Sequence, residues 1–213
     1  MVRLPTTPKP LNQIPIMFLL GVTEGLCGAR KGTVIEMLIE SRYWKEDLLR
    51  YAKKFSPKRN PSRCTERLLM HFEKDIIISM FMIRMLAEQH KFSSKTTKLG
   101  IEVFRSPCIK KVHFLNQHRI KDLYDFKKEE RVTKGAIFIS NQLIHSGAMS
   151  AYRDNSRNWD GIYSSFDYER QKYIYRFPLS EIVKILKTAG NDYPRDFKAR
   201  YCHQKENYII KTN

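Results

Sequence analysis

Cysteine is scarce and scattered in this chain: four residues in 213, at positions 27, 64, 108 and 202, with no CxxC pair. Such spacing argues against a disulfide framework and against a common zinc site, and it suits reduced thiols. Long apolar runs are missing as well. The best of them, Ile14 to Val22, contains Pro15 and Gly21 and stops at Glu24, well short of the roughly 20 apolar residues that cross a bilayer. The same run makes a poor signal peptide, because Arg3 and Lys9 sit among Pro5, Pro8 and Pro10 and no small-residue cleavage site cleanly follows. A cytoplasmic protein with no membrane partner is expected. The chain also lacks GxxxxGK followed by Ser or Thr, GxGxxG, HExxH and GxSxG. P-loop hydrolysis, Rossmann-type binding, zinc proteolysis and the common serine-hydrolase elbow therefore have no signature here, and no cofactor is expected. No internal repeat or low-complexity tract is visible.

Positive charge is what the chain has in excess. Lys plus Arg number 39 against 22 Asp plus Glu, a formal charge of +17. The surplus is +6 in residues 1–62, +3 in 63–106, +4 in 107–134 and +4 in 135–213, so it belongs to a folded surface and not to a detachable arm. A polyanion is the natural partner of such a surface, because Lys and Arg that neutralise phosphates release counterions. Nucleic acid leads; an acidic protein partner is the alternative. With 42% hydrophobic and 12% aromatic residues, the chain can bury one domain core or a tight pair of small ones.

The expected fold class is α+β, a mainly helical body with a C-terminal β-hairpin followed by a helix. Two regions are expected: a mainly helical basic domain over 1–150, and a hairpin-plus-helix unit over 151–213 packed on it. Partial helical spacing of Val34, Met37, Leu38, Trp44, Leu48, Leu49 and Tyr51 predicts a helix over about 33–54. Ser56 to Ser62 reads as a basic loop, with Asn60 and Pro61 suited to start the next helix. That helix, about 61–91, has the clearest stripe: Leu68, Leu69, Phe72, Ile76, Ile77, Met80, Ile83 and Leu86. Opposite parts of the stripe, Arg63, Arg67, His71 and Asp75 recur every four residues, as exposed ion pairs or as a functional line. Ile101–Phe104 and Val112–Leu115 read as two short strands, and 119–147 as helix with a kink near Gly135. Gly161–Ser165 and Tyr173–Phe177 read as a hairpin, followed by a helix capped by Ser180 and stopped by Gly190.

Cys108, His113 and His118 have a regular spacing that invites a metal reading, but a fourth ligand is missing, and no metal is expected. More suggestive is Ile139-Ser140-Asn141-Gln142-Leu143-Ile144-His145-Ser146, in which Asn141 and His145 stand one helical turn apart. This string resembles a degenerate form of the Arg-to-His motif of HEPN (higher eukaryotes and prokaryotes nucleotide-binding) proteins. Those are small helical domains of toxins, abortive-infection systems and RNA-guided defence. The resemblance covers some ten to thirty residues and departs from the pattern, since Ser140 and not Arg precedes Asn141. Arg84 to His90 supplies a second match to the interval.

The resemblance implies metal-independent RNA cleavage, in which His moves a proton and Arg stabilises charge on the phosphate, in a site often shared across a dimer. His145 would transfer the proton and Asn141 would position; Arg84 with His90, or Arg67 with His71, would complement them. The bland alternative is that Asn141 and His145 simply stabilise a helix end. Further on, Tyr152, Trp159, Tyr163, Phe166, Tyr168, Tyr173 and Tyr175 interleave with Arg153, Arg157, Arg170, Lys172 and Arg176. Such a mixture can stack bases and hold phosphates, although half or more of the aromatics are expected in the core. With Lys58, Arg59, Arg63 and Arg67 these cations are the candidate nucleic-acid contacts. The expected function is nucleic-acid binding, RNA ahead of DNA, with ribonuclease activity in a toxin or phage-defence setting. The rivals are a non-catalytic subunit of a nucleoprotein complex and a basic component with an acidic partner.

Overall fold

The chain divides into two units, Met1–Leu38 and Ile39–Asn213. The structure, a computed structural model, describes residues 40–56, 65–202, 204 and 206–212. The first unit, with the proline-rich lead-in and the start of the helix expected from residue 33, lies outside the described residues, as do Lys58, Arg59 and Arg63.

Helix α1 spans Ser41–Phe55, with the Glu40 carboxylate accepting from the Arg42 N–H at 3.2 Å. Helix α2 spans Glu66–Glu88, and the Thr65 hydroxyl caps it by accepting from the Leu68 N–H at 3.2 Å; that cap satisfies one of the orphan donors of the first turn. Its apolar stripe is buried through Phe72, Ile76, Met80, Ile83 and Leu86. The four-residue polar line does not behave as one: Arg67 and His71 are exposed, while Asp75 is buried and pairs with Lys54 of α1.

After the short helix α3 (Ser94–Thr97) come β1 (Gly100–Pro107), α4 (Ile120–Leu123), a 3-10 turn at Phe126–Lys128 and β2 (Glu130–Gly135). Helix α5 (Ala136–Ile144), β3 (Ser146–Arg153), β4 (Trp159–Phe166), β5 (Tyr173–Pro178) and α6 (Leu179–Gly190) follow. A two-stranded ribbon, β6 (Phe197–Cys202) and β7 (Asn207–Thr212), ends the described chain. Strands β1 to β5 form one antiparallel sheet in the order β2-β1-β5-β4-β3.

The class is α+β, but the expectation of a mainly helical body ending in a hairpin followed by a helix is corrected. β4 and β5 do pair and α6 does follow them, yet both are inner strands of a five-stranded sheet, and β6–β7 comes after α6. Two readings produced the error. The stretch 119–147 was expected as one helix kinked near Gly135, whereas it holds the short α4, the 3-10 turn and α5, with Arg131-Val132-Thr133-Lys134 extended before α5 and paired with β1. Residues 146–153 form the edge strand β3, where the helix over 119–147 was expected to end and no strand was expected. The strand expected at 112–115 is instead a turn, with Val112 buried and Phe114 and Leu115 exposed.

Strand alternation separates two sheet faces. One carries Ile101, Val103, Ile162, Tyr175 and Phe177 against the apolar sides of α1, α2, α5 and α6. Full burial of such side chains contributes roughly 1.5–3 kcal/mol each. Gly190 lets α1 and α6 meet closely, since a Cβ there would lie 2.7 Å from Leu49 and 3.1 Å from the Lys45 carbonyl. The Glu181 carboxylate ties α6 to β1 by accepting from the Glu102 N–H at 3.1 Å. The second face holds a smaller cluster of Val112, Leu123, Tyr124 and Ile174 with Phe126 and Tyr163 beside it. Among the described residues no helix is long and apolar enough to cross a membrane.

Candidate functional site

Helices α2 and α5 pack side by side, with the Ser140 hydroxyl 3.8 Å from the Met80 sulfur. One turn beyond Met80 on α2, Arg84 reaches the end of α5. Its Nη1 lies 2.8 Å from His145 Nε2, and its Nε donates to Glu88 Oε1 at 2.8 Å. A guanidinium has donors only, so His145 Nε2 accepts and the ring proton of a neutral imidazole sits on Nδ1. His145 is the residue that closes α5, its backbone N–H donating to the Asn141 carbonyl at 3.1 Å. The histidine is exposed and the Arg84 side chain is 34% exposed, so both can be reached from solvent. Carboxylate, guanidinium and imidazole thus form a line at a helix junction whose hydrophobic parts are buried.

Aromatic side chains continue that line. The His145 ring stands 5.7 Å from Phe166, and Phe166 stands 5.1 Å from Tyr168, centroid to centroid. These two residues close β4 and open the turn to β5. Buried Gln142, two positions after Ser140 on α5, fastens the turn: its amide donates to Glu169 at 3.0 Å and its carbonyl oxygen accepts from the Phe166 N–H at 3.2 Å.

The remaining candidates scatter. His90 lies just beyond α2, exposed, with φ of 56°, and no hydrogen bond joins its ring to Arg84 among the described residues. Among the described residues no hydrogen bond joins the Asn141 side chain to the His145 ring, and Asn141 Oδ1 is buried without a hydrogen-bond partner. Arg153 stacks on Trp159 at 4.4 Å, and Trp159 stacks on Phe72 at 4.7 Å in the core. Arg157 is exposed in the β3–β4 turn with φ of 66°. Arg170 pairs with Asp167 at 3.3 Å, and Lys172 is exposed. Tyr173, Tyr175 and Phe177 face the helices, Tyr175 and Phe177 being buried there.

Arg176 occupies the second sheet face, in the cross-strand row Phe104–Arg176–Tyr163. Its Nε and Nη2 donate to the two oxygens of Glu129 at 2.8 and 2.6 Å, and its plane covers Phe104 at 3.9 Å. The Glu129 hydrogen bond holds the Arg176 guanidinium above its ordinary range. Tyr152 lies against this arginine, and burial pushes its hydroxyl up to about 12. Cys108 donates to the Lys110 carbonyl at 3.0 Å, and among the described residues no group of three His, Cys, Asp or Glu could hold a metal ion.

Lys45 of α1 escaped the sequence reading. It is buried, its ammonium donates to the Lys91 carbonyl at 2.9 Å and to the Asp192 carbonyl, and it stands 4.4 Å from the centroid of the Tyr193 ring. Burial lowers its pKa. With both carbonyls and a ring around it, this lysine ties α1 to the end of α6. A cleft of about 360 Å³ lies next to it, lined by Lys95, Lys187, Thr188, Asn191, Asp192 and Tyr193. Sequence reasoning also missed Glu88, although its place four residues after Arg84 is the usual signal for a helix ion pair. It missed the approach of Phe166 to His145 as well, for which no local pattern exists.

No protein-family model, no curated protein and no solved structure matches this chain.

Proposed function

We propose that the protein binds RNA and cleaves it without a metal ion, using Arg84 and His145. The observation that carries this reading is the 2.8 Å contact between Arg84 Nη1 and His145 Nε2. The pair unites a phosphate-binding group with a group that can accept and return a proton near neutral pH. A phosphate oxygen is a stronger acceptor than a neutral ring nitrogen, so an arriving phosphodiester takes Arg84 away from His145. That exchange neutralises phosphate charge and frees Nε2 in one movement. Nε2 then takes the proton of the ribose 2′-hydroxyl. The 2′-oxygen attacks phosphorus, the bond from phosphorus to the 5′-oxygen breaks, and the proton is returned to the 5′-oxygen. The products are a 2′,3′-cyclic phosphate and a free 5′-hydroxyl, with no redox change and no co-reactant. Glu88 holds the other side of the guanidinium and so fixes its plane.

The motif resemblance to HEPN proteins, the +17 charge and the surface cations Arg157, Arg170 and Lys172 support the same reading. It suits an RNA-containing cytoplasm, a toxin or phage-defence role, and a homodimer or a place in a larger complex. A second reading, a nucleic-acid-binding subunit without catalysis, draws on the engagement of Arg84 with both Glu88 and His145, which also serves simply to join α2 to α5. Labelled single-stranded RNA incubated with the purified protein and a chelator separates them. Shortened RNA ending in a 2′,3′-cyclic phosphate, lost in His145→Ala, is the expected result. Bound but intact RNA supports the second reading, and the absence of any nucleic-acid binding redirects the search to an acidic protein.

A further inference from the structure

The turn between β4 and β5 is held at nearly every position. Asp167 pairs with Arg170 at 3.3 Å, Glu169 accepts from Gln142 at 3.0 Å, and the Arg170 carbonyl accepts from the Tyr124 hydroxyl at 2.9 Å. The Gln171 side chain accepts from the Val112 N–H at 3.1 Å. Tyr168 is the exception. It is 75% exposed, and its ring contact is with Phe166, which itself abuts His145. A large exposed ring on a turn fastened this firmly has lost its conformational freedom in advance, so a ligand that stacks on it meets little ordering cost. Lys172, exposed in the same turn, adds positive charge to it.

We propose that the exposed Tyr168 ring, braced by Phe166 against His145 with successive rings tilted by 52° and 58°, is the shelf on which an unpaired nucleobase stacks beside the phosphate held by Arg84, which makes single-stranded RNA the substrate. This rests on the ribonuclease reading for the identity of the phosphate. Stacking needs an unstacked base, and a base inside a duplex offers its neighbours and not its face to a protein ring. A nucleobase fits the shelf better than an acidic peptide, which would bring negative charge but no flat ring.

The test is binding of a short single-stranded 2′-O-methyl oligonucleotide, which cannot be cleaved, followed by fluorescence anisotropy for the wild type, Tyr168→Ala and Tyr168→Phe. Base–aromatic stacking of about 1–3 kcal/mol corresponds to a loss of about five- to 150-fold in affinity for Tyr168→Ala. Tyr168→Phe keeps the ring and retains affinity within about twofold. The same sequence made abasic responds to neither substitution, and the same sequence as a duplex binds more weakly than the single strand. Equal affinity of Tyr168→Ala and wild type overturns the shelf, as does tighter binding of the duplex or no binding of the oligonucleotide at all. Because the oligonucleotide lacks the attacking hydroxyl, binding that depends on Tyr168 with no cleavage of natural RNA contradicts the catalytic reading alone. Cleavage with no dependence of binding on Tyr168 contradicts the shelf alone.

Discussion

Arg84 and Arg176 are both partly buried arginines with a carboxylate at hydrogen-bond distance, and they differ in how the fork is used. Arg176 gives two nitrogens to Glu129, lies flat on Phe104 and leans on Tyr152. Its charge is matched one for one, and a phosphate could take it only by displacing a bidentate partner. Arg84 gives one nitrogen to Glu88 and another to a neutral imidazole. Half of that engagement is with an acceptor that a phosphate can outcompete. From sequence Arg84 is a catalytic candidate and Arg176 a nucleic-acid contact; the placement of their partners makes Arg176 a fastener of the sheet's second face and, on the proposed reading, leaves Arg84 to take the phosphate.

The largest effect that could break this comparison is on His145. His145→Ala should lower RNA cleavage by about 10²- to 10⁴-fold, the usual contribution of a positioned proton-transfer group, measured as the initial rate at saturating RNA. Arg84→Lys comes next. A point charge keeps attraction to phosphate but loses the planar fork, so a loss of about tenfold in kcat/KM is expected. The mirror experiment is Arg176→Met: removing one partner of a largely buried ion pair should cost about 2 kcal/mol of stability in urea unfolding and leave cleavage by the folded fraction unchanged. Lost cleavage in a folded Arg176→Met protein would erase the distinction.

The smallest effect is on pH. The Tyr152 hydroxyl, at about 12 because of its burial, stands above the ordinary tyrosine value near 10. The unfolded chain therefore releases this proton first, and stability is fully present below about pH 10 and declines as pH rises towards 12. Tyr163 and Tyr175, also raised by burial, act in the same direction. Thermal unfolding midpoints across that window should fall less steeply in Tyr152→Phe than in the wild type.

What could be read from the sequence follows the strength of the local signal. Helix α2 has a wide stripe of buried side chains spaced by three and four, which few other arrangements accommodate, and it lies within its expected span. In the sheet, the three inner strands β1, β4 and β5 contain the strands expected from the sequence, and the two edges were hidden. β2 is an edge strand built from Glu130, Arg131, Val132, Thr133 and Lys134, and its burial alternates only between exposed and half-buried positions, so hydrophobic periodicity says little. β3 is half-buried throughout, which gives no alternation at all. Pairing fixed both strands, and pairing joins residues far apart in sequence. The candidate site shows the same division. Arg84 was singled out with His90 and His145 with Asn141, each from an interval of a few residues, whereas the contact that exists spans 61 positions. Backbone geometry at the end of α2 carries His90 elsewhere, and the packing of α2 on α5 brings His145 in its place.

The central claim is that Arg84 and His145 act as one unit, and a double-mutant cycle on RNA cleavage tests it most directly. Cleavage rates of wild type, Arg84→Ala, His145→Ala and the double variant would be compared on one single-stranded RNA. A unit gives strongly non-additive losses, so the double variant should be no slower than the slower single variant. Losses that multiply, or single variants that cleave as fast as wild type, would contradict it.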